Sequence, residues 1–295
     1  MAAKYLRELI QGPDILVCPG VYDGISGRIA LNKGFKCLYM TGAGTVASRL
    51  GMPDIGVAGL TDMHANALLI ANLNAQVPLI ADADTGYGNA VMCARTLTMY
   101  ARAGVAGLHI EDQVQAKRCG HLKGKELVSE QEFSMRIKAM AIARKNIGSD
   151  VVIIARTDAL QSFGVEDAIK RCKSAINAGA DVAFVEGITN KEEATLVVEA
   201  LSPTPVLINL VTNGVTPNWT AAEALEIGFK ICIYPCTSII PASIAISNAM
   251  DELLCHGTDA IACHGINPRE SFMQMGLSDA VALDKMVGST AFDIV

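Results

Sequence analysis

The chain has 295 residues, 51% of them apolar and only 18% charged, with a formal net charge of −6 at pH 7. That length and apolar content suit one large core and exclude a chain dominated by disorder. The acidic balance argues against a nucleic-acid partner, which selects a basic face, and apolar runs no longer than a strand give no reason to expect a membrane span.

The opening segment, MAAKYLRELIQGPD, reads as a short amphipathic helix without the apolar centre of a signal peptide. Eight apolar, β-branched runs follow at 15–21, 37–41, 78–82, 107–111, 151–156, 182–186, 205–210 and 231–235. Helix-period segments at 92–103, 130–145, 165–178, 191–201 and 220–227 lie between them. Strands that are apolar throughout are buried on both faces, as in a parallel sheet. The predicted class is therefore α/β, a (β/α)8 TIM barrel over residues 1–256 with the N-terminal helix included. Residues 257–295 form an extra C-terminal helical segment with no strand of this barrel to cover, and are expected to pack on a partner subunit. Such apolar content with so few charges is consistent with surface buried between subunits, hence a homo-oligomer.

Two segments break the repeat. Residues 42–62 follow the second strand and read as a long, Gly-rich loop, and residues 112–130 follow the fourth. Long βα loops usually carry function.

Acidic and polar residues recur at the downstream ends of the strands: Asp82, Asp84, Glu111, Asp112, Arg156, Asp158, Glu186 and Asn209. Buried charges are costly unless paired or metal-bound. Asp82 and Asp84 share one strand face and repel unless a cation lies beside them. With Glu111 they offer an all-oxygen set suited to Mg²⁺, or Mn²⁺; the alternative is that they cap helices and form barrel salt bridges. The loop Lys117-Arg118-Cys119-Gly120-His121 places a thiol among cations, which stabilise a thiolate. With Lys123 and Lys125 it reads either as a lid for an anionic substrate or as a solvated charged loop. The backbone of Gly42-Ala43-Gly44, with the Thr41 and Tyr39 hydroxyls nearby, could hold a substrate carboxylate.

Nine cysteines without a CxxC pair point to reduced thiols in a cytosolic compartment, or in a comparable one such as the mitochondrion. Cys18, Cys37, Cys93, Cys172 and Cys232 read as buried core thiols. Cys255, His256, Cys263 and His264 have no zinc-finger spacing.

These elements, in order, resemble the isocitrate lyase/phosphoenolpyruvate mutase superfamily over essentially the whole chain. The resemblance rests on TGAG with LGMPD, DADTGYGN, the Glu111-Asp112 pair, KRCGH, ARTDA, VEG and the strand end at Asn209. It implies a barrel that exchanges a C-terminal helix between subunits in a dimer of dimers. It also implies Mg²⁺ and enolate chemistry on α-keto or α-hydroxy acids. Cys119 favours the carbon–carbon lyases over the phosphonomutases. KRCGHLKGKELV resembles most the fungal-type 2,3-dimethylmalate lyases and oxaloacetate hydrolases, with methylisocitrate lyases next. A serine just past strand eight is typical of the oxaloacetate hydrolases, and Pro235 stands there, with Thr237 and Ser238 close by.

By this resemblance the chain cleaves a 2-hydroxy dicarboxylate to pyruvate and a short acid. Alternatives are oxaloacetate hydrolysis to oxalate and acetate, methylisocitrate cleavage, or a repurposed role in secondary metabolism. Catalytic expectations are Cys119 as general acid, Arg156 on the keto product, and Tyr39, Lys117 and His121. The base is Tyr39 or a metal-bound water. Thr41, Gly42, Ala43, Asp54, Gly120, Glu186, Asn209 and Pro235 are expected to bind a small dicarboxylate, and Asp82, Asp84 and Glu111 the metal.

Overall fold

A computed structural model describes residues 1–120 and 122–292; of the expectations above, His121 and residues 293–295 of the C-terminal segment lie outside the described residues. The first elements are α1 (Ala2–Gln11), β1 (Leu16–Val21), α2 (Gly24–Asn32), β2 (Leu38–Met40), α3 (Gly42–Leu50), α4 (Leu60–Ala71) and β3 (Leu79–Asp82). Next come α5 (Ala90–Arg102), β4 (Gly107–Glu111), α6 (Glu130–Asn146), β5 (Val152–Thr157), α7 (Leu160–Phe163), α8 (Val165–Ala178) and β6 (Val182–Val185). The chain continues through α9 (Lys191–Leu201), β7 (Val206–Asn209), α10 (Ala221–Ile227), β8 (Ile231–Tyr234), α11 (Ile239–His256), α12 (Pro268–Gln274) and α13 (Leu277–Met286).

The eight strands pair in parallel, in chain order, and close through β1 and β8. Alternation along each strand divides the core. Inward residues such as Cys18, Tyr39, Ile80, Ile154, Phe184, Leu207 and Ile231 fill the barrel. Outward residues such as Leu79, Leu108 and Ile153 pack beneath the helices. Helix α1 closes the N-terminal end. Its Leu6 is fully buried, and a side chain on Gly107 would lie 2.9 Å from Leu6 Cδ2. Arg7 of α1 donates to Asp181, which Arg144 also engages, so charge pairs tie the plug to the barrel floor.

The segment 42–62 departs from the loop expected of it, since its first nine residues are helix α3. Thr41 caps that helix, its Oγ1 accepting from Gly44 N–H at 3.3 Å. The glycines serve close packing rather than flexibility. A Cβ on Gly44 would lie 2.6 Å from Thr41 Cγ2 and 2.9 Å from Tyr22 Cβ. Only residues 51–59 form the loop proper.

The C-terminal segment is helical as expected, with α12 and α13, but these two and the preceding α11 contain no buried residue. Ile240, Ile244, Met250 and Leu254 of α11 are exposed. Helix α12 rests against α2, where Asn32 Nδ2 donates to Gln274 O at 3.0 Å. No helix of the described residues is long and apolar enough to cross a membrane.

Candidate active site

The C-terminal strand ends bring the expected polar centre together. Burial reaches 4% exposure or less for Asp82, Asp84, Glu111, Asp158 and Glu186. Asp84 N–H donates to Asp82 Oδ1 at 2.9 Å, and Asp84 O accepts from Glu111 N–H at 2.8 Å, linking the ends of β3 and β4. Asp84 itself has φ +47°, in the left-handed region, and begins the tight turn through Gly86, Tyr87 and Gly88. A non-glycine residue held there costs about 1–3 kcal/mol and concentrates at functional sites.

Arg156 is the hub. Its Nε and Nη2 donate to both oxygens of Asp158 at 3.0 and 3.1 Å. Nη1 is 3.1 Å from Glu111 Oε2 and Nη2 is 3.6 Å from Glu186 Oε2. The guanidinium lies 5.3 Å above the Phe184 ring. Asn209 Nδ2 donates to Glu186 Oε2 at 3.0 Å, continuing the chain to β7. Burial would raise the Asp158 carboxyl, but Arg156 and Lys125 bring it down to about 2.

The loop after β4 folds over this centre. Lys117 Nζ is 2.6 Å from both Asp54 and Asp84. Cys119 N–H donates to Asp54 O at 3.1 Å, so the thiol residue and Asp84 meet at the same barrel mouth. Gly120 lies against Arg156 and Glu186: a Cβ there would collide with Arg156 Nη2 and sit 2.8 Å from Glu186 Cγ. Lys125 is buried, donating to Gly120 O at 2.7 Å and to Asp158 Oδ1 at 2.8 Å.

The carboxylates are not equally served. Asp54 and Asp84 have Lys117, Asp158 has Lys125 and Arg156, and Glu111 and Glu186 have Arg156. Among the described residues Asp82 alone of this set has no cationic partner. His109 Nε2 is 3.8 Å away, but burial and then Arg156 depress that imidazole to about 3, so it is neutral. Burial raises Asp82 against the opposing charges of Lys117 and Arg156, neither of which is within ion-pair distance of it, and lifts Asp84 to about 6 despite Lys117. No three His, Cys, Asp or Glu among the described residues are grouped to hold a metal ion by themselves.

Several expectations change in detail. Asp112 does not join the centre. Thr157 Oγ1 (2.6 Å), Asp158 N–H (2.9 Å) and Arg171 Nη1 (3.1 Å) all donate to it, because it follows Glu111 and turns to the opposite face. Gly44 N–H is spent on Thr41, leaving Gly42 and Ala43 at the open end of α3. A side chain on Gly42 would run into the Asp82 carboxylate. The Tyr39 hydroxyl is 2.9 Å from His109 Nε2, and burial followed by the Asp82 charge raises it well above its usual range. That favours a protonated hydroxyl over a phenolate base. Pro235 is buried at the end of β8, its backbone against Gly20. The Ser238 hydroxyl donates to Gly20 O, and Thr237 is exposed.

The sequence placed Asp158 among the polar strand ends and Lys125 in the cationic loop without giving either a specific role, and assigned His109 none at the site. His109 precedes Glu111 by two, so strand period alone places both on one face. Nothing in the spacing distinguishes Lys125 from its solvated neighbour Lys123.

A family model described as phosphoenolpyruvate phosphomutase matches residues 6–254. The chain belongs to the phosphoenolpyruvate mutase/isocitrate lyase superfamily. It is 43% identical over 259 residues to the 2,3-dimethylmalate lyase of Eubacterium barkeri, covering 88% of each chain. It is 36% identical to the 2-methylisocitrate lyase of Bacillus subtilis, over 98% of this chain and 94% of that one. A crystal structure of 2,3-dimethylmalate lyase superposes with a TM-score of 0.96 at 48% identity, over 100% of this chain and 98% of that one. Oxaloacetate acetylhydrolase in complex with 3,3-difluorooxalacetate superposes with a TM-score of 0.95 at 49% identity, over 98% of each. This superfamily member is a lyase, and identity does not separate the substrates its relatives are named for.

Proposed function

We propose that the chain is a divalent-metal-dependent carbon–carbon lyase that cleaves a 2,3-dimethylmalate-like 2-hydroxy dicarboxylate to pyruvate and a short carboxylic acid. The observation that carries the metal is Asp82, a buried carboxylate without a cationic partner among the described residues, in a cluster richer in carboxylates than in cations. A hard cation suits all-oxygen surroundings. Mg²⁺ commonly takes one or two carboxylates and completes its shell with water and substrate oxygens, so three converging side chains are not required. Asp82 would hold it, with Asp84 and Glu111 around it, and Mn²⁺ would serve as well. When bound, the cation supplies Lewis-acid polarisation of the substrate's C2 oxygen.

The chain's own groups do the rest. Arg156, held flat by Asp158, is oriented to bind a substrate carboxylate or the oxygen of the keto product. The C2 hydroxyl passes its proton to a water molecule in the site, the C2–C3 electron pair moves onto the departing acid as an enolate, and the Cys119 thiol gives its proton to that carbon, leaving a thiolate. Lys117 joins the loop to Asp54 and Asp84, so the loop excludes water while the enolate exists. Tyr39, its hydroxyl 2.9 Å from His109 Nε2, keeps a protonated hydroxyl at the site. Thr41, Gly42 and Ala43 bound the keto-acid half, and Glu186 and Asn209 the other carboxylate.

Pro235 supports the dimethylmalate-type substrate over oxaloacetate, since it offers no hydroxyl to a hydrated ketone. The hydroxyl of Ser238 is committed to Gly20. The exposed apolar side chains of α11 support a homo-oligomer in which another copy covers them; sedimentation of the pure protein checks this. The substrate reading is tested by a panel with Mg²⁺: 2,3-dimethylmalate, oxaloacetate, 2-methylisocitrate and isocitrate, each scored for products. Pyruvate and propionate from 2,3-dimethylmalate are expected to dominate; oxalate as the main product would overturn it.

A further inference from the structure

Lys125 is a buried ammonium that the cleavage steps above do not use. It stands at the root of the loop after β4, where Gln113 bridges to Leu127 and Val114 N–H donates to Glu126 O at 2.9 Å. From that root Nζ reaches the carbonyl of Gly120 at 2.7 Å and Asp158 Oδ1 at 2.8 Å. Asp158 is the same carboxylate that grips Arg156 through two bonds. Gly120 approaches this closely because it has no side chain, since a Cβ would strike Arg156.

We propose that Lys125 is a positioning residue: rooted on Asp158, it fastens Gly120 and the neighbouring Cys119 over the site, so that loop closure and the aim of Arg156 depend on one carboxylate. The proposal deepens the lyase reading and rests on it for its functional meaning. A buried charge-assisted bond of this kind is strong enough to set an open–shut equilibrium, whereas a lysine in solvent is not. Gly120 is the complementary half, for any side chain there holds the carbonyl away from Nζ.

The test needs no substrate, so it stands apart from the identity of the reaction. Cys119 is alkylated with iodoacetamide in the full-length protein and followed by peptide mass spectrometry, with exposed Cys255 as internal reference. Lys125→Met is expected to speed modification of Cys119 by about tenfold or more, as the shut state loses its fastening. Loss of the nearby positive charge would by itself slow a thiol's alkylation, so a rise reports opening. Lys125→Arg should stay within about threefold of wild type, since it keeps the charge and the donors. Gly120→Ala attacks the same contact from the loop side and carries the test if Lys125→Met does not fold. It should raise the rate similarly, and the double variant should be no faster than the faster single one. A rate within about twofold of wild type in either single variant would overturn the proposal.

Discussion

Asp158 accepts two hydrogen bonds from Arg156, at 3.0 and 3.1 Å, from a position only two residues further along the chain. The carboxylate is fully buried and also bonded to Lys125. Asp158→Asn removes the charge that both cations need. Breaking one side of a buried pair typically costs about 3–5 kcal/mol, and urea denaturation should report a loss of that order. The folded carboxyl titrates near 2, below its unfolded value, so its contribution is full above about pH 4 and lost as pH falls toward 2. The variant should lack that acid-limb dependence.

The metal should follow Asp82. Chelation with EDTA is expected to abolish turnover, and Mg²⁺ or Mn²⁺ to restore it. Asp82→Asn should weaken Mn²⁺ binding, read by EPR, more than Asp84→Asn does, because Asp84 already has Lys117. Equal losses would remove Asp82 from its proposed place.

Proton competition should be visible in the same titration. Burial raises Asp84 to about 6, so the folded protein retains a proton there below that pH. A cation must displace the proton. Affinity should therefore be level above pH 6 and weaken by up to about tenfold per unit below it. Binding equally tight at pH 5 and pH 7.5 would contradict this.

Cys119→Ser should lower kcat by about 10²–10⁴ while leaving Mg²⁺ affinity unchanged, since it alters none of the proposed metal carboxylates and keeps the backbone bond from residue 119 N–H to Asp54 O. Isothermal titration calorimetry separates the two effects. Near-normal turnover would end the general-acid role.

Pro235→Ser places a hydroxyl at the end of β8. Oxalate release from oxaloacetate should rise by about tenfold or more, and cleavage of 2,3-dimethylmalate should fall. Product analysis on both substrates decides it.

The barrel was legible because its signals are local. Each strand is a short apolar run, five of them carry acidic or polar residues at the same end, and Gly residues mark several of the turns into the strands. Eight repeats of that grammar admit few architectures. The gathering of Asp82, Asp84, Glu111 and Arg156 at one barrel mouth followed from strand period for the same reason. What the sequence left open depends on contacts between distant segments. Glycine-rich 42–50 becomes a helix because Thr41 caps it and Tyr22 crowds Gly44, and neither interaction is visible in the run itself. Asp112 leaves the site because the strand turns it outward toward Arg171, fifty-nine residues away in the chain. Lys125 and Lys123 look alike as letters; only the fold takes one out of water and sets it between Gly120 and Asp158. Composition and period thus determined the scaffold and the list of reactive groups. Which carboxylate has no cation beside it was decided by tertiary packing, because charge pairing is a property of distances.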